Sequence, residues 1–331
     1  MRLSILDQAP ISSNQTPQDA LKESKRLAQV GEQLGYTRFW IAEHHDLAGL
    51  ACSAPEVMLS YIGANTKTIR IGSGAVLLPY YRPYKVAETY NMLATLFPNR
   101  IDIGIGRAPG GSAEATNALS DRFLQQVWDL PKSLEELLHF IYNDFPADHE
   151  YAKVKAAPIP ETAPAPWLLG TSKKSALLAA ETGMSYAFGQ FMSENDGQDI
   201  IKQYRDSYKP KKEEHKPNVI VTVSAICADT TEIAEEIALS SLIWAIQKEK
   251  GEGNKGIPSV KKAKEYPLTE EEKHKVEKMK QKMIIGNQME VKKKLLDLQA
   301  SYQADEIMIV TITHSPEDRL TSYKLISKAF K

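Results

Sequence analysis

The sequence Glu43-His44-His45 places a carboxylic acid and two imidazoles directly after Tyr36–Ile41, a run typical of a β-strand. An imidazole titrates near neutral pH, so it can exchange a proton or a hydrogen bond with a ligand. Adjacent strand residues point to opposite faces, and the metal-binding spacings His-x-His and His-Glu-x-x-His are absent from the chain. The pattern therefore favours acid–base or hydrogen-bond chemistry over a metal site. A histidine that only ties a loop is the structural alternative.

Small side chains characterise the next strand-like run, Ile69–Leu78, which contains Ser73-Gly74-Ala75. Such residues leave the main chain open to close approach by another group. In a barrel of parallel strands, the C-terminal ends of neighbouring strands meet where the chemistry is done. We therefore expect a flat ligand to lie against this backbone, close to the histidines.

Two later segments carry residues suited to an anion. Arg107 follows the strand-like run Ile101–Ile105 and can contact a phosphate or carboxylate through two nitrogens. Thr171-Ser172-Lys173-Lys174-Ser175 opens the predicted helix Ser172–Glu181, and a helix N-terminus attracts negative charge. An ordinary Ser/Thr cap would explain one hydroxyl but not three. The glycines before Arg107 do not match the dinucleotide fingerprint, because their spacing differs and Pro109 interrupts.

Glu88 lies in the predicted helix Lys85–Phe97, after the third strand. It could face Arg107 and orient its guanidinium. A solvated helix glutamate is the alternative reading of the same residue.

Alternating strand-like and helical runs predict the elements that position these residues. The predicted strands are Leu3–Leu6, Tyr36–Ile41, Ile69–Leu78, Ile101–Ile105, Trp167–Gly170, Tyr186–Phe188, Val219–Ala228 and Ile307–Thr311. The predicted helices are Pro17–Leu34, Pro55–Asn65, Lys85–Phe97, Ser172–Glu181, Asn195–Tyr208, Thr231–Lys250 and Met289–Tyr302. Eight strands that are mostly followed by helices favour a single closed (β/α)8 barrel, a TIM barrel, over residues 1–331.

Two stretches interrupt the alternation. Asp144–Pro166 contains five prolines and predicts an irregular loop. Lys248–Met283, between the seventh and eighth strands, is rich in lysine and glutamate. It predicts either a mobile lid over the site or a solvated insertion, with an exposed helix in Glu270–Met283.

The composition narrows the possible partners. The 331 residues are 42% hydrophobic and 25% charged, with a net charge of −1. A nearly neutral chain argues against nucleic acid or an anionic membrane as the main partner. The chain has two cysteines, and its first residues indicate a strand and not a signal peptide. We therefore expect a cytoplasmic location.

The ordered set of motifs resembles the bacterial luciferase-like flavin monooxygenases along the whole chain, most strongly over residues 1–111. The matching segments are Phe39–His45, Ile71–Pro79, Val86–Glu88 and Asn99–Arg107. The resemblance implies a (β/α)8 barrel that binds FMN, usually as reduced FMN supplied by a separate flavin reductase.

The same resemblance implies roles for individual residues. His44 matches the catalytic histidine, and Gly74-Ala75 matches a bulge under the flavin ring that often contains a non-prolyl cis peptide. Arg107 with Ser172 and Ser175 matches the phosphate-binding set. The predicted cofactor site comprises Glu43, Ser73, Gly74, Ala75, Glu88, Arg107, Thr171, Ser172 and Ser175. Thr171 and Gly106 stand where light-emitting members have a glutamate and a cysteine, which argues against light emission.

The implied reaction begins with reduced FMN and O2, which give a flavin C4a-peroxide. This species would transfer oxygen to a small organic substrate such as an aldehyde, a ketone or an aromatic compound, with His44 exchanging a proton nearby. Two alternatives stay open: an F420-dependent hydride-transfer oxidoreductase and a non-catalytic flavin-binding protein. The resemblance also implies a homodimer formed through helices near the second and third strands. The apolar residues of Pro55–Asn65 and Lys85–Phe97 fit such an interface, although packing in the core would also explain them.

Overall fold

Parallel strands close into a barrel in the computed structural model, which describes residues 1–194, 196–211, 213 and 215–331. In the described chain, eight strands form the barrel, and pairing of the last strand with both the first and the seventh closes it. The barrel strands are β1 (Arg2–Asp7), β2 (Arg38–Ile41), β3 (Arg70–Ser73), β5 (Ile101–Gly106), β6 (Ala165–Gly170), β7 (Ser185–Gly189), β8 (Val219–Cys227) and β10 (Glu306–Val310). The predicted TIM barrel is therefore confirmed.

Two short strands stand outside this set: β4 (Val76–Leu77) and β9 (Ile284–Gly286). The sequence predicted one strand over Ile69–Leu78, but the structure divides it. β3 pairs with β2 and β5, whereas β4 continues the pairing with β5 alone. Between them, the peptide bond of Gly74-Ala75 is cis, and both residues lie outside the strands.

Helices surround the barrel. They are α1 (Pro17–Leu34), α2 (Pro55–Ala64), α3 (Pro83–Leu96), α4 (Ala113–Leu119), α5 (Phe123–Trp128), α6 (Leu130–Tyr142), α7 (Lys173–Glu181), α8 (Gln198–Asp206), α9 (Thr231–Glu249), α10 (Val260–Glu265), α11 (Glu270–Gln281), α12 (Gln288–Tyr302) and α13 (Pro316–Ala329). Helices α4, α5, α6, α10 and α13 are additional to those predicted. The first residue of the predicted helix Asn195–Tyr208 lies outside the described residues. In the described chain, no helix is long and apolar enough to cross a bilayer.

Local capping explains several of these boundaries. The Thr16 hydroxyl accepts a hydrogen bond from the Asp19 N–H, and the Asp19 carboxylate accepts one from the Thr16 N–H. This reciprocal pair begins α1, and Gly35 ends it with a left-handed φ of 84°. The Asp144–Pro166 region connects α6 to β6 irregularly, as its prolines predict.

The segment between α9 and β9 packs mainly on α9, and its buried residue Ile257 pairs with Ile11 and Ser13 in the loop after β1. Helices α10 and α11 contact α9, and a second apolar cluster joins them through Ile243, Ala263 and Val276. The predicted helix in Glu270–Met283 is confirmed as α11. The mobility of this segment stays a prediction.

A buried ion network fills the N-terminal end of the barrel. The Arg38 guanidinium donates to Asp102 at 2.6 Å and to both oxygens of Glu306 at 2.7 and 3.1 Å. Asp102 also accepts from Trp40 Nε1 and from Arg70. An apolar layer of Leu6, Trp40, Trp167, Ala187, Ile220, Met308 and Val310 also lies inside the barrel. Because these charges are paired so closely, their mutual attraction offsets part of the free-energy cost of removing them from water.

Candidate functional site

A cavity of about 400 Å³ is lined by residues at the C-terminal ends of the barrel strands. This volume lies within the usual range for small-molecule sites, roughly 300–1,000 Å³. All the predicted site residues except Ser73 and Glu88 line it. The C-terminal face is also where a TIM barrel places its chemistry.

The cavity has a bare floor made by Gly74, Ala75 and Gly106. A Cβ added at Gly106 would stand 2.9 Å from the Ala75 Cβ, and one at Gly74 would stand 2.6 Å from Leu6 Cδ1. Glycine therefore fits at Gly106, whereas a larger residue at Gly74 would require Leu6 to move. The floor presents backbone and methyl groups to a ligand, which suits a flat ring.

Ser73 supports this floor from below. Its side chain is fully buried, and its hydroxyl donates to the Gly104 carbonyl at 2.9 Å and accepts from the Gly104 N–H at 3.1 Å. The prediction placed Ser73 in contact with the cofactor. The structure instead gives it a role in joining β3 to β5, because its side chain points away from the cavity.

Arg107 and the start of α7 form a polar wall. Arg107 Nη2 donates to Ser172 Oγ at 3.3 Å, and Ser172 caps α7 in a reciprocal pair with Ser175. Ser175 Oγ also lies 3.0 Å from the Tyr186 hydroxyl. Among the described residues, no carboxylate pairs with Arg107, so its charge is available to an anion. A helix N-terminus beside a guanidinium is a favourable anion site.

Glu88 lies elsewhere. Its carboxylate accepts from Lys85 Nζ at 3.2 Å on the outer face of α3, and this interaction lowers its pKa. It does not contact Arg107, so the predicted partnership is wrong. The buried face of α3 includes Val86, Ala87 and Tyr90, and the helical period turns Glu88 away from the barrel.

His44 also lines the cavity, and its side chain is partly buried. Burial, with smaller contributions from Lys248 and His45, lowers its pKa to about 4. The imidazole is therefore neutral near pH 7. Among the described residues, its buried Nδ1 has no hydrogen-bond partner, which leaves it available to a ligand. No cluster of three possible metal-binding side chains occurs in the described part of the chain.

Glu43 holds the loop beside His44. Its carboxylate accepts from the Leu77 N–H at 2.9 Å and from the Tyr81 hydroxyl at 2.6 Å, and it lies 2.8 Å from His45 Nε2. Burial raises the pKa of Glu43, and these three contacts oppose the rise. Because its oxygens are engaged, Glu43 positions the end of β2 against β4.

Sequence reasoning missed several residues that line the cavity. Gln8, just after β1, and Thr222, in β8, add polar groups. Val127, Phe191 and Met192 add apolar walls. Gln8 could have been found, because it follows the first strand at the same barrel end. Thr222 and Val127 have no local signal, because their position depends on barrel closure and on the path of α5.

Comparison with known proteins agrees with this architecture. The chain is 42% identical over 330 residues to the uncharacterized protein YceB of Bacillus subtilis, covering 100% of this chain and 99% of the relative. It is 38% identical over 333 residues to the N-acetyl-S-alkylcysteine monooxygenase of the same species, covering 99% and 98%. The crystal structure of apo-MsnO8 superposes with a TM-score of 0.90 at 32% identity, covering 99% and 97%.

More distant structures share the fold alone. The oxygenating constituent of 3,6-diketocamphane monooxygenase from Pseudomonas putida, solved with FMN, has a TM-score of 0.71 at 18% identity, covering 99% and 97%. An F420-dependent secondary alcohol dehydrogenase has a TM-score of 0.68 at 13% identity, covering 100% and 99%. The sequence profile of luciferase-like monooxygenases matches residues 1–304. Together with the close relatives, this match shows that the chain belongs to the luciferase-like monooxygenase family.

Proposed function

We propose that this protein is an FMN-dependent monooxygenase that uses reduced FMN and O2 to oxygenate a small organic substrate. One observation carries the proposal: a single cavity combines an unpaired guanidinium at a helix N-terminus, a bare floor and a neutral, partly unsatisfied histidine. The guanidinium and the helix N-terminus would bind a phosphate, the bare floor would support a flat ring, and the histidine would face the reaction centre.

The residues present fit FMN. Arg107, Thr171, Ser172 and the N-terminus of α7 would hold the phosphate, since guanidinium and helix N–H groups bind such anions. The floor of Gly74, Ala75 and Gly106 would support the ring system, because these residues present no side chain larger than a methyl group. The FMN-bound neighbour, although distant in sequence, uses the same fold.

The bound reduced flavin would supply the two electrons with which one atom of O2 enters the substrate and the other leaves as water. The protein would position the reactants, exclude water from the cavity and exchange a proton with the reaction centre. His44 is uncharged at neutral pH, so its free Nδ1 can accept a proton or hydrogen bond from a group at the reaction centre. Leu6, Leu169 and Phe191 line the cavity with apolar surface and limit the entry of water.

Aldehydes, ketones and aromatic compounds are the substrate classes that the sequence predicts. The relative named N-acetyl-S-alkylcysteine monooxygenase supports thioethers as a further class to test. The apolar walls formed by Val127, Phe191 and Met192 suit the carbon portion of any of these compounds.

Oxygen-isotope labelling tests the proposal. Purified protein, photoreduced FMN and 18O2 would be incubated with an aldehyde, a ketone, an aromatic compound and N-acetyl-S-benzylcysteine in separate reactions. We expect mass spectrometry to show one 18O atom in the product of one class. FMN binding without incorporation into any class would favour a non-catalytic flavin-binding protein. Failure to bind FMN, with binding of F420, would favour the hydride-transfer alternative.

Replacing Arg107 by alanine is expected to weaken FMN binding by about 1.5–3 kcal/mol, or roughly 10- to 100-fold in Kd. The reason is the loss of a charge-assisted contact to the phosphate. Quenching of flavin fluorescence would measure Kd. Arg122→Ala is the matched control, because Arg122 is exposed at the start of α5 and lies outside the cavity. Equal affinities of wild type and Arg107→Ala would contradict the assignment.

The predicted homodimer has a candidate interface. Val57 and Tyr61 on α2 and Met92 and Leu96 on α3 are exposed by 65%, 41%, 53% and 59%. We propose that a second copy covers this apolar surface. Light scattering coupled to size exclusion should give a dimer for the wild type and a monomer for Met92→Lys, because burial of the new charge would be costly. Met289→Lys on α12, also exposed, is the control that should leave the dimer intact.

The separate flavin reductase and the cytoplasmic location stay predictions. If the assay used oxidised FMN and a nicotinamide cofactor in place of photoreduced FMN, a reductase would have to be added to supply reduced FMN.

A further inference from the structure

Two polar side chains line the cavity without a hydrogen-bond partner. They are Gln8, directly after β1, and Thr222, within β8. Among the described residues, neither the Gln8 amide nor the Thr222 hydroxyl bonds to another protein group. The other buried threonines differ, because the hydroxyls of Thr66, Thr311 and Thr313 each donate to a backbone carbonyl. Polar groups in protein interiors are nearly always hydrogen-bonded, so these two groups are available to a ligand.

Strand alternation aims both side chains into the barrel. Leu6 and Ile220, each two residues earlier, belong to the apolar layer inside it. Side chains two residues apart in an extended chain face the same side, so Gln8 and Thr222 face inward as well. Asp7, between Leu6 and Gln8, instead bonds to α13 outside the barrel. The two side chains therefore present their polar groups to the cavity.

The order of the strands places this pair opposite the proposed phosphate site. β1 and β8 flank β10, and β10 is the fourth strand from β5 in either direction around the barrel. Arg107 follows β5, whereas the floor residues Gly74, Ala75 and Gly106 lie on β5 or between β3 and β4. A flavin on that floor would leave the side of the cavity at β8, β10 and β1 to a substrate. His44 follows β2, between that side and the floor.

The charges around the cavity favour an uncharged group beside this pair. Arg107 is the one cationic side chain among the described lining residues, because His44 is neutral near pH 7. A carboxylate beside Gln8 and Thr222 would therefore be buried without a cation, which is costly. A carbonyl oxygen can accept a hydrogen bond from both residues, and an amide N–H can also donate to the Gln8 carbonyl.

We propose that Gln8 and Thr222 bind a carbonyl or amide group of the substrate and thereby determine which compounds the cavity accepts. This assignment rests on the proposed function, because it places the substrate beside FMN in the same cavity. It deepens that function by defining the part of the substrate that lies opposite the phosphate site. That part is polar and uncharged, and Phe191 and Met192 would contact the carbon portion beside it.

Three probes that share a benzyl group test the assignment without turnover: phenylacetamide, phenylacetate and propylbenzene. Calorimetry would measure their affinities for protein loaded with oxidised FMN. We expect the wild type to bind phenylacetamide more tightly than phenylacetate, because the amide brings no unpaired charge. Gln8→Leu and Thr222→Val should each weaken phenylacetamide binding by about 2- to 10-fold without weakening propylbenzene binding.

Matched substitutions outside the cavity are the controls. Gln33→Leu on α1 and Thr321→Val on α13, both at exposed positions, should bind the three probes as the wild type does. Thr222→Ser keeps the hydroxyl, so it should retain the affinity for phenylacetamide. Thermal unfolding followed by circular dichroism would show that each variant is folded.

The assignment is overturned if the wild type binds phenylacetamide no more tightly than phenylacetate. It is also overturned if either Gln8→Leu or Thr222→Val binds phenylacetamide as the wild type does, or loses both neutral probes equally. A matching loss of FMN affinity in these variants would overturn it as well, because the pair would then contact the flavin. Failure of the wild type to bind FMN would instead contradict the proposed function. The comparison of phenylacetamide with propylbenzene on FMN-free protein would still decide the role of the pair.

Discussion

The His44→Ala variant is expected to turn over its substrate about 10²- to 10⁴-fold more slowly than the wild type, with FMN affinity nearly unchanged. The imidazole lines the cavity and keeps Nδ1 free, whereas the proposed phosphate contacts are made by other residues, Arg107 and Ser172. Removing the ring should therefore affect proton exchange and leave the main anchor of FMN in place. Product formation per unit time and flavin fluorescence would measure the two quantities separately.

A second substitution separates two roles of His44. His44→Gln can still form hydrogen bonds but cannot transfer a proton as an imidazole does. If His44 transfers a proton, this variant should turn over about as slowly as His44→Ala. If His44 only donates or accepts a hydrogen bond, the variant should recover much of the wild-type turnover. His139→Ala, at a remote histidine that pairs with Asp144, is the control. Because the pKa of His44 is about 4, its protonation state should not change between about pH 6 and 8. This residue should therefore add no pH dependence to the wild-type rate in that range. Normal turnover by His44→Ala would remove the residue from the mechanism.

The Arg38→Met variant is expected to lose about 3–5 kcal/mol of unfolding free energy. The Arg38 side chain is 5% exposed and bridges Asp102 and Glu306, which are fully buried. Burial opposes its charge, but the two carboxylates outweigh that effect and raise its pKa. Removing the guanidinium would leave the carboxylates short of a partner in the barrel interior.

Urea unfolding followed by circular dichroism would measure this loss. Arg2→Met is the matched control, because Arg2 is half-exposed and approaches Glu306 only at 3.9 Å. Exposed ion pairs contribute about 0–1 kcal/mol, so the control should change little. If Arg38→Met and Arg2→Met were equally stable, the buried network would not stabilise the barrel as described.

Much of the barrel could be predicted because its signals are local. Thr16, Gly35 and the alternating apolar runs act within a few residues, and hydrogen bonds at helix ends depend on those neighbours. The division of Ile69–Leu78 into β3 and β4 could not be predicted from strand propensity. The pairing partners of that segment change along its length, and the partners lie in other parts of the chain.

The candidate site was predictable where residues follow strand ends. Arg107, Ser172 and His44 belong to different strand ends, and parallel strands bring those ends together. Glu88 shows the limit of this reasoning. Its position after the third strand was correct, but the rotation of α3 on the barrel decides which helical face points inward.

By itself, the sequence determined the order of the eight barrel strands, the resemblance to a flavin-binding family and the residues of the polar wall. Only the tertiary structure decided that Ser73 lies under the floor and that an ion network fills the N-terminal end of the barrel. The physical reason is separation along the chain. Arg38 and Glu306 are 268 residues apart, so no local pattern of propensity or capping encodes their contact. Closure of the barrel brings them together.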